Sequence, residues 1–293
     1  MNYYNEIKEQ LINNEVTKKA KDYSKNKSDL TTYYNVGKLL VDAGKHYGEG
    51  IVKEYSNKLT SDLGKKYSYR TLNYMIKFYN LQKMQSMTAN LSWGHWIELL
   101  SIKDIEKITY YVNQCEKLSL TTRQLRSIIK NKEYERLDDN TKLKLINQEE
   151  PKVEDLIKNP IIIKNNSNYE VVSEKVLQKL ILEDIESFMK ELGNSFSFIG
   201  SEYKIKLGDT YNYIDLLMFN YEYNCFVVIE LKITELKKEH IGQIEVYMNY
   251  IDKHLKKISH DKTIGLIICK KDNEYIIRYS TDERIIAKEY ELV

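Results

Sequence analysis

Apolar positions in the first half of the chain recur at three- and four-residue spacing, as at Val36, Leu39 and Leu40 and again at Leu72, Met75, Ile76 and Tyr79. No alternating stretch falls between them, so the spacing predicts helices with one apolar face each. Ser68 precedes TLNYMIKFYNL, and Thr121 or Thr122 opens RQLRSIIKNKEYERL, where a hydroxyl can cap the first free N–H groups. The segments GIVKEYSNKLTSDLG and YRTLNYMIKFYNL, joined at KKYS, have the length and spacing of a helix-turn-helix. In that arrangement Arg70, Asn73 and Lys77 line an exposed face of the second helix and can meet phosphates or base edges; an ordinary helical hairpin is the alternative.

The pattern changes after DDNTKLKLINQEEPKVEDLIKNP, a polar interval that holds both prolines, Pro151 and Pro160. Beyond it, SEKVLQKLILEDIESFMKELG reads as a single helix with Val176, Leu177, Leu180, Ile181, Ile185, Phe188, Met189 and Leu192 on one face, closed by Gly193. Short β-branched and aromatic runs follow: FSFIGSEYKIKL, YNYIDLLMF and CFVVIELKI, parted by Gly208-Asp209 and by Asn220 to Asn224. A helical segment near 235–256 leads to two further strand-like runs, TIGLIICK and YIIRYS. The expected fold class is α/β (α+β), with an all-helical domain over residues 1–150 and, over 165–293, a central mixed β-sheet flanked by helices. The middle strands, being continuous apolar runs, should be covered on both faces.

Composition narrows the picture. With 293 residues there is room for two domains, and 42% hydrophobic against 30% charged residues excludes a disordered chain. The net charge of +2 conceals a split: residues 1–150 hold 25 Lys and Arg against 19 Asp and Glu, an excess of six, whereas the remainder holds 20 against 24, a deficit of four. The helical half is therefore the expected polyanion-binding part, although a solvated basic face has the same composition. Cys115, Cys225 and Cys269 are too few and scattered for a disulfide framework or zinc site. MNYYNEIKEQ has no leader-like apolar segment and no stretch is long enough to span a membrane, which makes the cytoplasm the expected location and a membrane an unexpected partner.

Two carboxylates stand out because they interrupt apolar strands: Asp215 in YIDLLMFN and Glu230 in VVIELK. Burying an unpaired charge costs several kcal/mol, so each needs a partner. Alternation places Glu230 and Lys232 on one face of their strand and Ile229 and Leu231 on the other, and a short turn makes the Asp215 strand an antiparallel neighbour. The missing partner is then a divalent cation, Mg²⁺ or alternatively Mn²⁺, held by Asp215 and Glu230 with the Leu231 carbonyl as a third ligand. Lys232 would orient the attacking water in phosphodiester hydrolysis. A buried ion pair with Lys232 and no metal is the plainer reading. The triplet Glu-x-Lys means nothing alone, since it recurs at Glu6, Glu202 and Glu235; only the copy at Glu230 ends an apolar strand with an embedded Asp one hairpin upstream.

In this context Asp215 and Glu230-Leu231-Lys232 resemble the PD-(D/E)XK nuclease superfamily, with Ile214 where the name-giving Pro stands. FMKELGNSFSFIG, YIDLLMFN, VVIELK, HIGQIEVYMNYID and IGLIICK, with LSWGHWIELLSIKD, Tyr110-Tyr111 and LTTRQLRSIIKNKEYERL in the first half, resemble more closely the YhcG-like family. The resemblance covers most of the chain and implies a helical domain joined to a restriction-endonuclease-like domain, with Asp215 and Glu230 as metal ligands and Lys232 as the catalytic lysine. It further implies that Gln243 and Tyr247, four apart on a helix, face DNA or water near the site. The acid many members carry on the helix before the sheet aligns with Gln178, leaving Glu174 or Glu183 to serve. The implied substrate is nucleic acid, DNA before RNA, in repair, recombination or defence against foreign DNA, and a symmetric cut would need a homodimer. The rival is an inactive nuclease-fold scaffold that binds nucleic acid or protein. Among the histidines, His240 beside the site helix is read as a surface residue, and His95 between Trp93 and Trp96 as packing.

Overall fold

The computed structural model describes residues 3–20, 25–48, 50–84, 91–147, 149–193, 195–278 and 282–293. They fall into two compact units, Met1–Tyr134 and Glu135–Val293. This division lies ahead of the polar interval 138–160 at which the sequence places its boundary.

The first unit is helical: α1 (Tyr3–Ala20), α2 (Lys25–Tyr47), α3 (Gly50–Leu63), α4 (Tyr69–Met84), α5 (Trp93–Leu99), α6 (Ile105–Leu118) and α7 (Thr122–Lys130). The periodic positions do what their spacing predicts: Val36, Leu40, Leu72 and Met75 are fully buried with Ile7, Leu11 and Leu59. Gly37 lets α2 meet α4 closely, since a Cβ there would lie 2.2 Å from the Met75 carbonyl oxygen. Ser68 Oγ accepts from the Thr71 N–H at the start of α4, and Thr121 with Gln124 forms a reciprocal cap on α7. His95 caps α5, its Nδ1 facing the Ser92 N–H at 3.2 Å and its Nε2 2.8 Å from the Leu120 carbonyl. Trp96 is buried against Phe78, as packing requires.

The second unit runs α8 (Asp139–Ile146), α9 (Val153–Leu156), β1 (Ile161–Ile163), α10 (Glu174–Glu183), α11 (Ile185–Leu192), β2 (Phe196–Leu207), β3 (Thr210–Asn220), β4 (Cys225–Glu235), α12 (Lys238–His254), β5 (Ile264–Lys271), α13 (Glu274–Arg278) and β6 (Ile285–Leu292). The described strands form one mixed sheet in the order β1-β6-β5-β4-β3-β2. β2, β3 and β4 are antiparallel neighbours, whereas β5 and β6 continue parallel after the α12 crossover. One face packs Leu177, Leu180, Ile181 and Phe188 of α10 and α11, the other Ile244, Met248 and Ile251 of α12, so Cys225 to Lys232 of β4 is buried throughout. Gly265 admits α12 to the sheet: a Cβ there would meet Met248 Sδ at 2.5 Å.

Three expectations change. The stretch 174–192 is two helices, because Asp184 leaves the helical region (φ −136°, ψ 54°) and its carboxylate caps α11 at the Ser187 N–H, 3.2 Å away. A side chain that competes for backbone N–H groups restarts the helix where periodicity alone reads straight through. YIIRYS is not a strand: Glu274–Arg278 is a helical turn started by Asn273, whose carbonyl accepts from the Ile276 N–H at 2.9 Å, and Ile276 and Ile277 pack on the α12 face. Tyr279 and Ser280 lie outside the described residues. The parallel strands supplied instead by β6 and β1 have no counterpart in the sequence reading. IIAKEYEL carries two acids and a lysine, and its inner place depends on pairing with β5 and β1.

Candidate active site

The acids meet at the end of the antiparallel hairpin. The last paired rung of β3 and β4 joins Leu216 to Ile229, so Asp215 and Glu230 form the next rung. Asp215 turns its carboxylate into the sheet plane, where Oδ2 accepts the Leu231 N–H at 2.8 Å, and the Gln178 amide of α10 donates to the Asp215 carbonyl at 2.9 Å. Lys232 Nζ donates to Glu230 Oε2 at 3.2 Å and lies 3.8 Å from Glu174 Oε2. The expected convergence of Asp215, Glu230 and Lys232 is therefore present in the geometry. Of the two helix acids, Glu174 reaches the cluster, whereas Glu183 is engaged with Ser167 and Lys179.

Electrostatics decide what such a cluster can hold. Glu230 is only 2% exposed, and among the described residues its Oε1 has no hydrogen-bond partner within 3.5 Å. Burial, and then the neighbouring Asp215 charge, push its carboxyl up to about 8, more than Lys232 can offset. Asp215 is also raised by burial, against the Leu231 N–H and Lys232. Burial pulls the Lys232 ammonium down, yet Glu230, Glu174 and Asp215 together leave its pKa above the ordinary lysine value, so it is charged at neutral pH. Two hard oxygen donors, one of them buried and orphaned, fit a divalent cation. Among the described residues no group of three or more His, Cys, Asp or Glu side chains is arranged to hold a metal.

The α12 face completes the surroundings. Gln243 Nε2 donates to the Tyr247 hydroxyl at 3.2 Å; burial raises the Tyr247 pKa, the Gln243 bond opposes it, and the Glu230 and Asp215 charges add to it. His240 is buried rather than on the surface, because its Nδ1 takes the Lys237 N–H at the start of α12. Burial, then Lys232, lower its pKa. Arg70, Asn73 and Lys77 sit on α4 of the helical unit. Arg70 bonds the Tyr74 hydroxyl at 3.1 Å, Asn73 the Tyr69 carbonyl at 2.8 Å, and Lys77 the Leu100 carbonyl at 3.5 Å. Glu202, set aside in the sequence as one more Glu-x-Lys copy, is placed opposite Asp215 by the strand register, and its charge raises the Asp215 pKa.

A helix-flanked mixed sheet that carries an Asp on one strand and Glu-x-Lys on the next defines a PD-(D/E)XK-type nuclease domain. The model of the YhcG PDDEXK nuclease domain matches residues 154–293, and that of the DUF1016 N-terminal domain matches residues 6–136. Together they take in most of the chain, which belongs to the YhcG-like family. The "Putative nuclease YhcG" of Escherichia coli K12 is 22% identical over 309 aligned residues, with 89% of this chain and 82% of that protein covered. Two solved structures, a repair endonuclease from Pyrococcus abyssi and an EndoMS-dsDNA2 complex, are each 18% identical over 43% of this chain, with TM-scores of 0.29 and 0.30. Each match spans about half of the solved chain, 48%. No helix among the described residues is long and apolar enough to cross a membrane.

Proposed function

We propose that this protein is a divalent-metal-dependent nuclease that hydrolyses phosphodiester bonds in DNA. The observation that carries the reading is the buried, unpartnered Glu230 oxygen beside Asp215 and the Lys232 ammonium. Asp215 and Glu230 would hold Mg²⁺ or Mn²⁺, with the Leu231 carbonyl as third ligand. In a strand the N–H and C=O of one residue leave on the same edge, and the Leu231 N–H already points to Asp215. Such a cation supplies Lewis-acid stabilisation of the phosphoryl oxygens and makes water a better nucleophile.

The chain's own residues do the rest. Lys232, which donates to Glu230 and lies 3.8 Å from Glu174, would orient the attacking water and neutralise charge that grows on the phosphoryl oxygens. Gln178 fixes the backbone that carries Asp215. Gln243 and Tyr247 offer donors on the α12 side of the cluster.

The test is cleavage of plasmid and linear DNA with Mg²⁺, with chelator, and with Lys232→Ala. Cutting by the wild type alone, abolished by chelator, is the expected result. Binding of DNA without cutting by both proteins, across Mg²⁺ and Mn²⁺, would make the domain a scaffold instead.

A further inference from the structure

The β2–β3 hairpin continues past the catalytic rung to its tip at Gly208, and β2 is an edge of the sheet. Register pairs Lys204 with Tyr213 and Lys206 with Tyr211. Residues two apart on a strand share a face, so both lysines project together beside both tyrosines, while Ile205 and Ile214 enter the core. Tyr211 and Tyr213 are 54% and 53% exposed. Lys204 Nζ lies 3.8 Å over the Tyr211 ring, and Lys206 Nζ lies 5.9 Å from its centre. At about 3.4 Å per residue, the two Lys–Tyr rungs stand roughly 7 and 14 Å along the hairpin from the Asp215 rung.

We propose that this face, on the side of the hairpin turned away from Ile205, Ile214 and α12, binds single-stranded DNA, an inference that rests on the reading of the chain as a DNA nuclease. Bases stack on Tyr211 and Tyr213, and Lys204 and Lys206 take the neighbouring phosphates. Stacking needs a base with a free face, which a paired and stacked duplex does not offer along its length; the ligand class is therefore DNA with unpaired bases. The cations are local, since residues 151–293 are acidic overall, with 20 Lys and Arg against 24 Asp and Glu. A second copy of the chain adding a strand here is opposed by the edge lysines, by the register shift between Phe198 and Gly200 and by the left-handed Glu202, φ 48°.

The experiment measures fluorescence anisotropy of the full chain in chelator, with an oligothymidylate, a blunt duplex and an oligouridylate of equal length. Tyr211→Ala with Tyr213→Ala should weaken oligothymidylate binding by about tenfold or more and leave duplex binding within about twofold. Phe at both positions should keep the wild-type affinity. Lys204→Gln with Lys206→Gln should weaken binding and flatten the log–log salt slope by about 1.4. Circular dichroism and the unfolding midpoint establish that each variant is folded. The proposal is overturned if the wild type does not bind the single strand, if the double Ala variant binds it as the wild type does or loses duplex equally, or if the ribo-oligomer binds as tightly or more tightly. Cleavage separates the two readings. Hairpin-dependent binding without cutting by the wild type keeps this inference and removes the catalytic one. Cutting of unpaired DNA with KM unchanged in the double Ala variant does the reverse.

Discussion

Replacing Glu230 with Gln should make the metal-free protein more stable, against the usual rule that substitutions at buried polar positions weaken a fold. The folded-state pKa of Glu230, about 8, lies above its ordinary 4.5. The folded chain therefore binds this proton more tightly than the unfolded chain. The cost is absent below the ordinary value, grows as pH rises, and is complete above 8. pH 7 lies about 2.5 units above the ordinary value of 4.5 and below the folded-state value, so at about 1.4 kcal/mol per unit the cost there is about 3 kcal/mol. Gln has no proton to lose, and its amide oxygen still accepts from Lys232. Glu230→Gln should thus raise the melting midpoint of the nuclease unit by about 6–12 °C in chelator at pH 7, at roughly 2–4 °C per kcal/mol. At pH 5 the gain should fall below about 1 kcal/mol. Mg²⁺ should raise the wild-type midpoint more than the variant's, because the wild type presents two carboxylates to the cation and the variant only Asp215. Calorimetry at pH 5, 7 and 8.5 with and without Mg²⁺ checks this. A gain that does not grow with pH, or a variant less stable than the wild type at pH 8.5, would show that Glu230 is not an uncompensated acid.

Other substitutions probe the scaffold. Gly37→Ala sets a Cβ against the Met75 carbonyl, so α2 and α4 must part; a loss of about 2–3 kcal/mol is expected, read from denaturant unfolding of the helical unit. Arg136→Ala removes one of the two cations on buried Glu191 and leaves Lys158 at 3.6 Å; the loss should be about 3 kcal/mol, by calorimetry. Gln178→Ala leaves the Asp215 carbonyl without its donor, at about 1–2 kcal/mol of stability, and as a positioning change it should lower kcat with KM nearly constant in a steady-state cleavage assay.

Local pattern made much of this protein legible. The helical positions Val36, Leu40, Leu72 and Met75 and the strands around Asp215 and Glu230 lie where their spacing puts them, because burial enforces a period of 3.6 or 2 on each element. The acids could be singled out because a carboxylate inside an apolar run contradicts its surroundings. Features without local contrast escaped. Asp184 looks like any exposed helix acid until it caps α11, and Ile276-Ile277 suits a strand or a helical turn equally. Nothing in IIAKEYEL announces an inner strand, since its partners β1 and β5 lie far away in sequence. Glu174 and Glu183, nine positions apart on α10, are equivalent as letters; only the docking of α10 on the sheet brings the first to Lys232 and turns the second to Ser167.

The chain by itself thus determined most of its elements and the meeting of two acids and a lysine, because hydrophobic periodicity and the cost of a buried charge act over a few neighbouring residues. Tertiary structure alone decided which groups touch: the Gln178 amide on Asp215, the buried His240 ring, the orphaned Glu230 oxygen and the Lys–Tyr rungs. Those contacts depend on strand register and helix docking, which sum packing over the whole unit and leave no mark on any short stretch of sequence.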